Sequence, residues 1–434
     1  MTPRFRLWQK DFERWLEPFL EALHYSRQRH WAPVYLEGLL RPGRRKSIEP
    51  MAERVAPGDV QQLHNFVSTA RWPTEPVEKV LAAKASALVG GPDAFLIVDD
   101  TALVKKGEHS VGVQRQYCGE LGKLANCQAL VSLTLAREEI PVPISLKLFL
   151  PEAWAGDKQR RARAYVPESV EHRPKWKMAL EEVDRARANA VEFGVVLADA
   201  GYGSCAEFRH GLNERQLKWA VGIESHQKVY AADIELKPMS RQTMGRPRKH
   251  REPTSEDRSA REMIESLGHS AWRKVTWRNG TKGPLHAKFA CVRVRVADGE
   301  KRSQGKRQPG QEVWLIGERR TGGQTKYYLS NLSANAGRKK LASTIKARWA
   351  CEQAHQQMKQ ELGLDHFEGR SWHGLHHHAL LVMIAYAFLQ DLRVAKKKGS
   401  RKSYRKATST HTAGGRSSSD RHRVHPHSLP AVQR

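Results

Sequence analysis

Residues 95–101 read FLIVDDT, so an unbroken apolar run passes directly into two aspartates and a threonine. A short apolar run with a sharp polar boundary predicts a buried central strand that ends near the two acids. Because successive side chains on a strand point to opposite faces, only Asp99 shares the face of Phe95 and Ile97. Open sheets place their chemistry at strand ends, although an isolated aspartate there also suits a turn. Asp99 is therefore a candidate catalytic acid, with a structural turn acid as the alternative.

A second segment repeats this design. Residues 195–203 read VVLADAGYG, an apolar run that delivers one acid, Asp199, at its end. The small residues that follow allow the backbone to turn away at once. Two such strand ends in one sheet weaken the turn-acid interpretation of both aspartates.

The third candidate acid is Glu352, on a helix predicted around residues 341–361. At about 100° per residue, Arg348, Glu352 and Lys359 fall on one stripe of that helix. Glu352 is either part of a solvated salt bridge with Arg348 or a metal ligand whose two basic neighbours bind phosphate. Together, Asp99, Asp199 and Glu352 form a set of carboxylates that suits two divalent ions ~3.5–4 Å apart. Such ions clamp the attacking and leaving oxygens in phosphoryl transfer.

The net charge indicates a polyanionic partner. Among the 434 residues, 74 Lys plus Arg stand against 46 Asp plus Glu, which gives a formal charge of +28. Such an excess suits nucleic acid or an anionic membrane surface. No apolar run reaches the roughly 18–20 residues of a membrane span, and the N-terminus lacks the apolar core of a signal peptide. The five cysteines form no CxxC pair, which argues against a structural zinc site or a disulfide framework. The sequence predicts a cytoplasmic protein.

The order strand, hairpin, helix, strand, helix, strand after residue 90 predicts an α/β fold with a mixed sheet rather than an all-parallel one. Changes of pattern along the chain predict five segments. These are a helical N-terminal domain for DNA binding (1–90), the first part of the catalytic core (91–223), a β-rich insertion with a basic loop at 241–261 (224–340), the C-terminal helices of the core (341–392) and a basic disordered tail (393–434).

The spacing of Arg348, Glu352 and Lys359 matches R, E and K of the motif Y-x2-R-x3-E-x6-K, with Ile345 at the tyrosine position. In this feature and in its strand order, the chain resembles the RNase H-like DDE transposases of bacterial insertion sequences. The segments VDDTALVKKGEHSVGVQRQYCGELGKLANCQ, LFLPEAWAGDKQRRARAYVPE, LADAGYG and KQELGLDHFEGRSWHGLHHHALL resemble the insertion-sequence 701 family specifically. These segments fall within residues 95–390.

The resemblance implies cut-and-paste transposition by an RNase H-like core. Asp99, Asp199 and Glu352 would bind two Mg²⁺ ions, which Mn²⁺ can replace. Hydrolysis would free a 3′-hydroxyl at each terminal inverted repeat for attack on target DNA, with a homodimer as the synaptic complex. Arg348 and Lys359 would contact the DNA ends. The alternatives are an RNase H-like nuclease without strand transfer and a catalytically silent DNA-binding protein derived from a transposase.

Four further basic residues are candidates for DNA binding. Lys105 and Lys106 follow the first acid closely and are placed to meet phosphate. Arg246 and Arg248 belong to GRPRK, which resembles the core of a minor-groove AT-hook; a solvated loop is the alternative. The three histidines at 376–378 point in three directions on a helix, so a single metal site cannot use them all.

Overall fold

The protein was analysed as a computed structural model, which describes residues 3–237, 251–280, 283–301, 306–320, 322 and 324–411, with side chains from residue 9 to residue 396 of these ranges. The chain forms two compact units. The first comprises Met1–Ala94, Asp99–Phe193 and Ala350–Arg434, and the second comprises Phe95–Val98 and Gly194–Trp349. The domain boundaries expected from the sequence remain a prediction.

The chain begins with helices, and strands enter from residue 95 onward. The α-helices are α1 (Pro3–Glu21), α2 (Ser26–Leu40), α3 (Ile48–Val55), α4 (Val60–His64), α5 (Glu75–Val89), α6 (Glu152–Ala155), α7 (Lys158–Arg163), α8 (Lys175–Ala188), α9 (Ala200–Gly203), α10 (Ala206–Glu214), α11 (Ala260–Glu265), α12 (Arg338–Lys346), α13 (Trp349–Gln360) and α14 (Trp372–His411). The strands are β1 (Phe95–Val104), β2 (Gln114–Cys118), β3 (Lys123–Arg137), β4 (Ile140–Leu148), β5 (Val195–Ala198), β6 (Trp219–Ile223), β7 (Lys228–Ala231), β8 (Arg258–Ser259), β9 (Arg273–Gly280), β10 (Gly283–Val296), β11 (Glu312–Arg319) and β12 (Lys326–Ser330).

The second unit contains the mixed sheet. The first four residues of β1 pair in parallel with β5, from Phe95 opposite Val195 to Val98 opposite Ala198. Strand β5 also pairs in parallel with β6, and β6 continues into an antiparallel series of β12, β11, β10, β7 and β8, with β9 also on β10. Parallel strands at one side and antiparallel strands at the other confirm the predicted mixed α/β sheet.

The first unit is built around α14. Strands β3 and β4 form the antiparallel hairpin expected from the sequence, and α14 packs against β4, α2 and α5. By length and composition alone, the Trp372–Lys396 part of α14 could cross a membrane, but 78% of its apolar window is buried inside the protein. Its apolar character therefore matches its position as a core helix.

Strand β1 runs further than the sequence suggested. It continues to Val104, so Asp99 and Asp100 lie inside the strand rather than at its end. Thr101 and Leu103 are buried on the extension, and the Ser132 hydroxyl on β3 donates to the Asp99 carbonyl oxygen at 3.0 Å. What ends at Val98 is the pairing with β5. The two carboxylates directly follow the end of this pairing, which an apolar run alone does not show.

The helix predicted over residues 341–361 is two helices, α12 and α13. The Ala347 N–H lies 3.1 Å from both the Ser343 and the Thr344 carbonyl oxygens, a tightened last turn that ends α12. Arg348 lies in the turn between the helices, so the prediction that it shares one helical stripe with Glu352 and Lys359 is wrong.

Two other segments differ from the sequence expectation. Helix α14 continues to His411, so residues 393–411 are helical where a disordered tail was predicted; the lysines, arginines and alanines there are good helix formers. Residues 412–434 lie outside the described residues. Residues 258–261, at the end of the predicted basic loop, form β8 and begin α11.

The three consecutive histidines of α14 are structural. His376 faces the Trp372 carbonyl, His377 stacks on Trp72, and His378 lies between the Tyr35 hydroxyl at 2.8 Å and the Gly363 carbonyl at 3.0 Å. A neutral His378 satisfies both partners, because one ring nitrogen accepts from the tyrosine and the other donates to the carbonyl. Burial lowers the pKa of His378 to about 4, against the opposing effect of the Gly363 carbonyl.

We predict that the protein loses stability as the pH falls from about 6.5 towards 4. The unfolded chain takes up a proton on His378 near its ordinary pKa of 6.5, whereas the folded chain resists protonation until about pH 4. The stability linked to His378 is therefore complete above the unfolded pKa and is lost on acidification, by roughly 3 kcal/mol at most. Thermal unfolding midpoints measured across this range should fall less steeply for His378→Gln, which cannot titrate. Equal slopes for both proteins would contradict this role.

Candidate active site

Asp99 is a buried carboxylate on β1. The residue is only 8% exposed, and the Asp100 N–H donates to its Oδ1 at 2.9 Å. Its ligand oxygen lies within 4.8 Å of the Cys351 Sγ and a His355 ring nitrogen, both on α13. An ionised group is costly to bury away from water unless it is paired or binds a metal.

The neighbouring Asp100 has a different environment. It forms an ion pair with Lys175 at the start of α8, and its side chain is 33% exposed. The two aspartates therefore have different partners, as alternation along a strand requires. Asp100 supplies a matched control for any experiment on Asp99.

Asp199 follows β5 directly and caps α9. Its Oδ1 accepts from the Tyr202 N–H at 3.2 Å, and the residue is half-buried. The capping contact is the structural role that the sequence left open. A carboxylate has several lone pairs on two oxygens, so capping also fixes the direction of the side chain without using all of its acceptor capacity.

Small residues are required where the chain turns after Asp199. A Cβ added at Gly203 would overlap the Gly222 carbonyl oxygen on β6 and would lie 2.7 Å from the Val221 Cβ. A Cβ added at Gly222 would lie 2.9 Å from the Ala200 nitrogen. The backbones of α9 and β6 are thus in close contact, and this contact holds the turn that carries Asp199.

Glu352 and Lys359 both lie on α13. Glu352 is exposed in the first turn. The Lys359 ammonium forms an ion pair with Glu120, in the turn between β2 and β3, at 2.6 Å, and the lysine side chain is only 11% exposed. Lys359 is therefore held in place by Glu120, which the sequence did not suggest as a partner.

The other predicted DNA-binding residues fall into three groups. The Lys105 ammonium donates to the Phe367 carbonyl at 2.6 Å. Burial lowers the pKa of Lys105, and the nearby acids Asp365 and Glu368 partly offset this effect. The hydrogen bond to Phe367 gives Lys105 a structural role. Lys106 is exposed. Arg246 and Arg248 lie outside the described residues.

The sequence prediction did not include Cys351 and His355 as site residues. The signal was the pair C-x3-H on α13, which places a thiol and an imidazole one turn apart on one helical face. A search for CxxC pairs does not detect it, and its proximity to Asp99 depends on the tertiary fold.

Comparison with known families identifies the group to which the chain belongs. The family model for DDE superfamily endonucleases matches residues 18–284. The match spans both Asp99 and Asp199 and ends before Glu352. The chain belongs to the DDE superfamily of endonucleases. The fold of this DDE superfamily endonuclease is accordingly RNase H-like, as the sequence predicted, and members of the superfamily use divalent metal ions.

A curated relative of this DDE superfamily endonuclease is the "Probable transposase for insertion sequence element IS701" of Microchaete diplosiphon. The two are 28% identical over 189 residues, which cover 43% of this chain and 46% of the relative. The chain thus spans about half the length of the curated relative that it matches. The resemblance to the insertion-sequence 701 family is confirmed.

We predict that Gly203→Ala destabilises this endonuclease, because the new methyl group must push α9 away from β6. Overpacking of this kind costs about 1–3 kcal/mol, to be measured as a loss of unfolding free energy in urea. Gly156→Ala is the matched control, since the methyl group there meets only the Glu152 carbonyl oxygen at 3.7 Å. Equal stability of the two variants would contradict the close α9–β6 contact.

Proposed function

We propose that this chain is the transposase of a bacterial insertion sequence that moves by cut-and-paste transposition. The observation that carries the proposal is the register of β1 and β5. Val98 lies opposite Ala198 in a parallel pair, and the next residue of each strand is an aspartate, Asp99 or Asp199. The parallel pairing ends at this point, although β1 itself continues to Val104, and open α/β sheets place their chemistry outside the carboxyl ends of paired parallel strands. Membership of the DDE superfamily and similarity to an IS701 transposase support the same reading.

We assign the catalytic acids as Asp99, Asp199 and Glu352. The donor set consists of carboxylates, the hard oxygen ligands that Mg²⁺ and Mn²⁺ prefer. Asp99 supports a cation most directly, since it is 8% exposed and lies within 4.8 Å of two other groups able to bind a metal. Two Mg²⁺ ions held by these acids would lower the pKa of an attacking oxygen and stabilise the leaving oxygen.

The residues of the chain orient this chemistry. The Tyr202 N–H fixes the Asp199 carboxylate, and the Asp100 N–H fixes that of Asp99. In the first reaction, water attacks the phosphodiester at an element end and the 3′-hydroxyl leaves. In the second, that 3′-hydroxyl attacks a target phosphodiester and displaces a target 3′-oxygen. Both reactions are in-line displacements at phosphorus, so one set of acids serves both.

Several basic residues would bind the DNA. The net charge of +28 suits a duplex partner, and the proposed ligands are the terminal inverted repeats and the target DNA. Lys359 and Arg348 would contact the element ends, and Lys106, which is exposed, would contact phosphate. Lys105, Arg246 and Arg248 stay candidates for the same role. The synaptic complex would be a homodimer in the bacterial cytoplasm, associated with the nucleoid.

We predict that Asp99→Asn abolishes cleavage of a duplex that carries the element end in Mg²⁺, whereas Asp100→Asn retains at least about a tenth of the activity. Loss of a ligand removes the geometry that the ions need, while Asp100 is paired with Lys175 instead. Asp199→Asn and Glu352→Gln should match Asp99→Asn, and DNA binding should persist in all of them. Joining of a precleaved element end to a plasmid by the native protein would distinguish transposition from hydrolysis alone.

Activity that survives in Asp99→Asn and disappears in Asp100→Asn would show that the wrong aspartate had been assigned. Cleavage without joining would replace the proposal with a nuclease.

We also predict that DNA affinity depends steeply on salt, because lysines and arginines displace counterions from phosphate. Lys359→Ala should lower the magnitude of the slope of log K against log salt by about one, and Glu120→Gln, which removes the carboxylate paired with Lys359, should increase affinity. Fluorescence anisotropy in EDTA measures both. An unchanged slope in Lys359→Ala would exclude a phosphate contact by this residue.

A further inference from the structure

A thiol, an imidazole and a carboxylate meet in the interior of the first unit. The potential ligand atoms of Asp99, Cys351 and His355 all lie within 4.8 Å of one another. The three residues are 8%, 0% and 7% exposed, respectively. Two of them lie on one face of α13 and the third on β1, so rigid elements position all three.

The distances suit a tetrahedral ion. The Cys351 Sγ and the His355 Nε2 are 3.5 Å apart. Zinc bonds of about 2.3 Å to sulfur and about 2.0–2.1 Å to nitrogen, at a tetrahedral angle, require roughly 3.5 Å between these two atoms. Three protein ligands with a fourth position for solvent or substrate are the usual composition of a zinc site that is not purely structural.

Polar groups next to the sulfur suit a thiolate. The Thr134 hydroxyl lies 3.3 Å from the Cys351 Sγ and the Ser132 hydroxyl lies 3.9 Å from it. The Thr134 hydroxyl can donate to a thiolate, which is how outer groups support metal ligands, whereas the Ser132 hydroxyl donates to the Asp99 carbonyl oxygen.

We propose that Asp99, Cys351 and His355 form a binding site for a thiophilic divalent ion of the Zn²⁺ class. Thiolate and imidazole favour Zn²⁺ and Co²⁺ over Mg²⁺. Binding deprotonates the Cys351 thiol and releases its proton to solvent. The site shares Asp99 with the proposed magnesium site, so Zn²⁺ would withdraw that carboxylate and inhibit cleavage. This last consequence rests on the proposed function, whereas the binding site itself does not.

The test is titration of the metal-free, full-length protein with Co²⁺, whose bond to a thiolate gives a near-ultraviolet charge-transfer band. We expect the band in the native protein, its loss in Cys351→Ser and its bleaching by Zn²⁺. Cys127→Ser is the matched control, because Cys127 is also buried in the first unit, and it should retain the band. His355→Gln should retain the thiolate but weaken Co²⁺ binding at least about tenfold.

Two further measurements separate this proposal from the function proposed above. Asp199→Asn should lose cleavage and retain the cobalt band, because Asp199 is not one of the three ligands. Half-inhibition of Mg²⁺-dependent cleavage should require at least about tenfold more Zn²⁺ in Cys351→Ser than in the native protein. A missing band in the folded native protein, or a band that persists in Cys351→Ser, would overturn the site. If Cys351→Ser fails to fold, an unchanged Co²⁺ affinity in His355→Gln would overturn the proposed site instead.

Discussion

The in-register parallel pairing of β1 with β5 is the constraint on which the proposed chemistry depends. Four consecutive pairs, from Phe95 with Val195 to Val98 with Ala198, fix the register. A slip of one residue would turn every side chain of a strand to the other face. Because Leu96 to Val98 and Val195 to Ala198 are buried and closely packed, such a slip would misplace every one of these side chains in the core. The hydrophobic core therefore also fixes the register of the residues that directly precede each aspartate.

The burial of Asp99 has an energetic consequence. An ionised carboxylate out of contact with water costs several kcal/mol unless a partner compensates it. The neighbouring Asp100 is a third exposed and pairs with Lys175. Two adjacent aspartates thus lie in different environments, and Asp99 is the one beside Cys351 and His355.

Much of the fold follows from local pattern. FLIV and VVLA are continuous apolar runs, which suit strands buried on both faces, and the β3–β4 hairpin follows from two strand-like runs joined by a short polar segment. The resemblance to DDE transposases supplied the family. The division of residues 341–361 into two helices was not predictable, because no Gly or Pro interrupts the helical pattern there.

Features that depend on contacts between residues far apart in the chain could not be predicted from the sequence. The continuation of β1 past Asp99 requires a second partner strand, β3, and the ion pair of Lys359 with Glu120 joins residues far apart in the chain. The approach of Cys351 and His355 to Asp99 is likewise a tertiary contact. Helical spacing identifies residues on one face, but it does not say what the face meets.

The central claim is that Asp99, Asp199 and Glu352 bind divalent metal together. The most direct measurement replaces Mg²⁺ with Fe²⁺ in the Cys351→Ser protein, which lacks the thiol. Added ascorbate and peroxide then generate radicals at the bound ion, and these radicals cut the nearby backbone. The account predicts cuts near all three acids, suppressed by excess Mg²⁺ and absent in Asp99→Asn. Cuts near residues 99 and 352 without any near residue 199 would contradict it.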